Sequence, residues 1–105
     1  MGWRHLRRYP APEALVRFSA GLRRLAERAG KPGLYHETVT WAYLFLINER
    51  MERDGRDASW AQFAERNADL LAWRPSILDT YYEAAVLDSA LARAVFVLPK
   101  GRPRG

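Results

Sequence analysis

The chain has 105 residues, 17 basic and 12 acidic side chains, a net charge of +5 and no cysteine. That length suits one domain with a modest core, and a hydrophobic content of 49% excludes global disorder. The missing thiol excludes disulfides, thiolate zinc sites and cysteine nucleophiles, and it fits a reducing, cytoplasmic setting.

Residues 1–10 carry Arg4, Arg7 and Arg8 and contain no apolar run of signal-peptide length. They read as a basic, flexible end, as do residues 100–105 with Lys100, Arg102 and Arg104. All 12 acidic residues lie between these ends, so the body is near neutral. The basic balance therefore points to solvated tails, and it argues against nucleic acid as a partner.

Pro12 at a first-turn position and Gly30 at a stop position bracket a helix over 12–29. Leu15, Phe18, Leu22, Leu25, Ala26 and Ala29 share one face, with Glu13, Arg17, Arg24 and Arg28 opposite. Glu13–Arg17 and Arg23–Glu27 have the spacing of ion pairs along the helix. Gly30-Lys31-Pro32-Gly33 is a turn. The absence of breakers from Leu34 to Arg53 predicts a second long helix over 34–53, stopped by Gly55. The longest unbroken apolar run, Trp41 to Ile47, is too short to span a bilayer.

Ser59 and Gln62 have the spacing of a capping box, which predicts a short helix to Arg66 that buries Trp60 and Phe63. Asn67 to Leu71 reads as another short helical turn. Pro75 opens a further one to Tyr82, presenting Ile77, Leu78 and a buried Tyr81–Tyr82 pair. Ser89 caps a last helix, Ala90 to Phe96, after which Phe96-Val97-Leu98-Pro99 folds back on the body. The four tryptophans, Trp3, Trp41, Trp60 and Trp73, read as core anchors. The predicted fold is all-α, a single domain built as an irregular bundle of two long helices and three or four short ones.

The second long helix carries the candidate site. On a wheel of about 100° per residue, Leu44, Ile47 and Met51 mark the core side, and Glu49, Arg50 and Arg53 mark the wet side. Glu37 then falls within about 20° of Leu44, Thr40 and Asn48 within about 40°, and His36 about 80° away. A carboxylate so placed must be paired or protonated. One reading is structural. Glu37 sits in the first helical turn, where free backbone N–H groups favour an anion, and an arginine, for instance from the first ten residues, pairs with it. Thr40 then bonds to the preceding turn and His36 caps. The other reading is chemical: His36, Glu37, Thr40 and Asn48 line a ligand site, with Glu37 as the catalytic candidate. A divalent metal would be held by His36, Glu37 and His5, the only other histidine. The zincin pattern fails, because Thr40 stands where its second histidine belongs.

Leu6-Arg7-Arg8-Tyr9-Pro10, the segment Gly30-Lys31-Pro32-Gly33-Leu34-Tyr35-His36-Glu37-Thr38-Val39-Thr40-Trp41-Ala42, Asn67-Ala68-Asp69-Leu70-Leu71 and Phe96-Val97-Leu98-Pro99 resemble a family of small uncharacterised bacterial all-helical proteins. The resemblance covers nearly the whole chain and implies architecture without an activity. It also implies an extra N-terminal segment, with a His-containing helix, ahead of the position of Trp3. The chain is then expected to be an N-terminally shortened member, with Arg4 and His5 where apolar or aromatic residues belong. The leading expectation is a small cytoplasmic helical domain that binds a protein partner or a small ligand, with no cofactor and no membrane. The alternative is a metal-assisted or acid–base enzyme using His36 and Glu37. Substrate, partner and oligomeric state lie beyond the sequence.

Overall fold

A computed structural model describes residues 2–71 and 76–99. Its described residues form seven α-helices and two short 3-10 turns, with no strand. The first helix, α1 (Gly2–Arg8), is followed by α2 (Ala11–Arg28), a 3-10 turn (Pro32–Leu34) and α3 (Glu37–Asp54). The short helices are α4 (Trp60–Arg66), α5 (Ala68–Leu71), α6 (Ala84–Leu87) and α7 (Ala90–Ala94), with a second 3-10 turn (Ile77–Thr80) between α5 and α6.

The ends of the long helices follow local chemistry. Pro12 lies in the first turn of α2, where a missing N–H costs nothing. At the other end Gly30 takes a φ of 71°, and the N–H groups of Gly30 and Lys31 return to the carbonyls of Glu27 and Ala26. That pair of bonds is a Schellman stop, and it needs a residue without a Cβ at the left-handed position. Gly55 ends α3 at φ 99°, also a positive value that favours glycine, but with an extended ψ of 129°. α3 starts later than the predicted residue 34, because Tyr35 and His36 are extended after the turn. Ser59 and Gln62 form both halves of the predicted capping box.

The N-terminal segment departs from the expectation of a flexible end. Trp3 and Leu6 alternate on one side of α1 and are buried in the main core with Ala14, Leu44, Met51, Phe63 and Leu70. Gly2 lies so close to α3 that a Cβ there would meet Leu44 Cδ1 at 3.0 Å. The arginines remain outside, Arg7 over the Trp3 ring and Arg8 over the Tyr9 ring. The terminal stretch 100–105, Trp73 and the predicted helix start at Pro75 lie outside the described residues.

Other aromatic residues are less buried than the sequence suggested. Trp60 packs edge-on to Trp3 and stacks on Phe63, but it closes the core from outside and stays partly wet. Trp41 is half-buried and stacks on Phe96 at 5.1 Å. Of the tyrosine pair only Tyr82 is buried, its hydroxyl donating to the Val97 carbonyl, while Tyr81 is exposed. The last helix stops at Ala94, and Val95–Val97 runs extended against α3.

Candidate functional site

Glu37 is the first residue of α3 and is buried, as the wheel predicts. Its carboxylate is met from three directions. Arg23 of α2 donates from Nη2 to Oε2 at 2.6 Å. The Tyr35 hydroxyl donates to Oε1 at 2.5 Å, and the Trp41 indole N–H donates to the same oxygen at 2.9 Å. Arg23 also lies over the Tyr35 ring, 4.8 Å from its centre. Burial, then the hydrogen bond to Glu37, raises the Tyr35 phenol above its ordinary value. The partner arginine therefore comes from α2 and not from the first ten residues, and Arg23 is drawn to Glu37 instead of pairing with Glu27.

His36 is the N-cap of α3. Its Nδ1 accepts from the Val39 N–H at 3.2 Å, and Nε2 faces the Leu87 carbonyl at 2.7 Å. A carbonyl only accepts, so Nε2 carries the proton and Nδ1 offers its lone pair to the backbone. Both ring nitrogens are thus committed, one to start the helix and one to hold the end of α6. Thr40 is buried, and its hydroxyl donates to the His36 carbonyl at 2.8 Å.

Asn48 does not join this group. It lies about three turns along α3 from Glu37, is only half-buried, and accepts from Arg56 at 2.8 Å. His5 sits in α1 against Phe18, with ring centres 5.5 Å apart. Among the described residues no three His, Cys, Asp or Glu side chains gather as a metal-holding group, so the convergence of His5, His36 and Glu37 is not found. An open cleft of about 450 Å³ between α2 and α3 has Glu37, Arg23 and Trp41 in its wall.

Two polar features escaped the sequence reading. Thr38 is fully buried; its hydroxyl donates to the Val95 carbonyl at 2.9 Å and accepts from the Val97 N–H at 3.0 Å. It lies about 120° from Leu44 on the wheel, which points away from the core until the C-terminal segment covers that side. Arg50, taken as a marker of the wet face, is the second. It reaches Asp69 through Nη1 at 3.0 Å and Nη2 at 2.8 Å, and donates from Nη1 to Asn67 Oδ1 at 2.9 Å. The buried Asn67 amide in turn donates to Asp54 and to the Phe63 carbonyl. The hydrogen bond from Arg50 holds the Asp69 carboxyl below its ordinary value. A fork of this kind fixes orientation as well as charge.

No family model, no curated protein and no solved structure matches the chain. No helix among the described residues is long and apolar enough to cross a membrane.

Proposed function

We propose that the chain is a small cytoplasmic helical interaction domain, with a protein or a small molecule as its partner. The observation that supports this is the contrast between its polar and apolar groups. Among the described residues every buried side-chain nitrogen and oxygen has a hydrogen-bond partner. Glu37 accepts from three donors and His36 uses both nitrogens to cap and to tie, so these residues do structural work. Large apolar side chains are left wet instead: Leu25 and Leu34 are 61% and 67% exposed and border the same groove. Apolar surface left in water forgoes about 25 cal/mol per Å² until something covers it.

The second reading is a metal-assisted or acid–base enzyme built on His36 and Glu37. The cleft beside Glu37 favours it. In that case Glu37 must release a donor to take a proton or a cation, and His36 must break its cap or its bond to Leu87.

Metal analysis of the purified protein separates the two. The interaction domain predicts no stoichiometric metal, and a Glu37→Gln variant with a lower melting temperature. One divalent ion per chain, retained by the wild type and lost in both His36→Ala and Glu37→Gln, would overturn it.

A further inference from the structure

α1 is much shorter than the helix it lies against. Its seven residues span about 10 Å, whereas the 18 residues of α2 span about 27 Å. The tight link at Tyr9–Pro10 sets the two side by side, and the first turn of α1 reaches Phe18, 3.7 Å from a Cβ at Gly2. Beyond Phe18 the apolar ridge of α2 continues through Leu22, Leu25 and Ala29, where Leu25 is 61% exposed and His5 of α1 stands in the wall beside it. Two grooves meet on this ridge and share Leu22 and Leu25. One, about 350 Å³, runs back to His5 and Phe18. The other, about 340 Å³, runs on to Leu34, Tyr35 and Val39. Residues at i, i+4, i+7 and i+11 form the kind of ridge that receives an apolar stripe from another helix.

The charge around this ridge is one-sided. Arg24 and Arg28 edge the first groove, and among the described residues neither has a carboxylate partner. Among the described residues no carboxylate lines either groove. Glu27 of α2 lies about 160° around the helix from Leu25, on the far side of Arg24, which is about 60° from it. Resting on the interaction-domain reading, we infer that this ridge docks an amphipathic helix of a partner protein, one with leucine-like residues on its inner face and carboxylates along the flank that meets Arg24 and Arg28. A second copy of the chain would set the same two arginines against their equivalents. A nucleic-acid backbone would lay its phosphates over Leu22, Leu25 and Leu34, which offer nothing to a phosphate.

The test uses the full chain and a labelled synthetic helical peptide of about four turns, with leucines on one face and glutamates on the flanks. Two controls are its lysine counterpart and a scrambled glutamate peptide. Fluorescence anisotropy should show the glutamate peptide binding at least about tenfold more tightly than either control. Leu25→Ser should weaken it about tenfold, and Arg24→Glu with Arg28→Glu should shift preference to the lysine peptide. These side chains are exposed, so circular dichroism should report an unchanged fold in both variants. Equal binding of both helical peptides, lost in Leu25→Ser, would overturn the acidic partner while leaving the interaction domain standing. Binding to the scrambled peptide or to single-stranded DNA as tight as to the glutamate helix would overturn the docking ridge, as would a dimer in sedimentation that Leu25→Ser dissolves. Failure of the interaction domain itself is read separately, from stoichiometric metal lost with His36 and Glu37.

Discussion

The two charged groups that anchor α3 have opposite exposure. At its N-terminus the anion is inside and the cation outside: the Glu37 side chain is 11% exposed and its partner Arg23 is 52% exposed. Near its C-terminus the order reverses, with Arg50 at 17% and Asp69 at 55%. In each case the buried member also collects neutral partners, Tyr35 and Trp41 for Glu37, and Asn67 for Arg50. A charge taken out of water keeps its desolvation cost however good the ion pair is, and extra hydrogen bonds offset that cost. The exposed member gains less, because water already serves it. The buried residue and its neutral partners should therefore carry the stability, and the exposed ion should be nearly replaceable.

That contrast can be broken by substitution. The largest effect is expected at Asn67, whose amide joins Arg50, Asp54 and the Phe63 carbonyl at a buried position. Asn67→Ala should cost about 3 kcal/mol in urea unfolding, from lost bonds and an unfilled volume together. Glu37→Ala should cost about 2 kcal/mol and Arg23→Ala about half that, since removing the arginine leaves two donors in place. Equal losses for Glu37→Ala and Arg23→Ala would show that exposure does not rank the partners.

Titration sharpens the same comparison with smaller effects. Asp69 sits below its ordinary value because Arg50 bonds to it. Its contribution is thus present above the unfolded carboxyl value near 4 and is lost as pH falls through the lower folded one. Asp69→Asn should flatten this part of the acid limb and cost under about 1 kcal/mol at neutral pH. Tyr35 is shifted upward by burial and by Glu37. Its contribution is present below about pH 10 and is lost as pH climbs through the raised folded value. Tyr35→Phe should remove that alkaline loss. Melting temperature followed across both limbs checks the pair; an acid limb unchanged by Asp69→Asn would remove Asp69 from the account.

Local signals located most of the helices because each acts within a turn or two. Pro12, Gly30, Gly55 and the Ser59–Gln62 box act through their own backbone angles and nearest N–H groups, and the observed ends follow them. The wheel also turned Glu37 and Thr40 inward, because Leu44 and Met51 fix that face of α3. It failed for Asn48, about 40° to one side of Leu44, which is only half-buried although Met51, one turn further along, is still in the core. Residues 1–10 read as a flexible end because of their three arginines, so the sequence marked Trp3 as a core anchor without marking the helix or Leu6 that bury beside it.

The sequence by itself determined that the chain is all-helical, where its long helices stop, and that Glu37 needs partners inside the fold. Only the tertiary structure decided who those partners are and which other faces are dry. Arg23 lies 14 residues from Glu37, Asn67 lies 17 from Arg50, and Val95 and Val97 lie 57 and 59 from Thr38. A helix pattern records which way each side chain points, but whether that direction meets water or protein depends on a segment far along the chain, and no local spacing encodes its arrival.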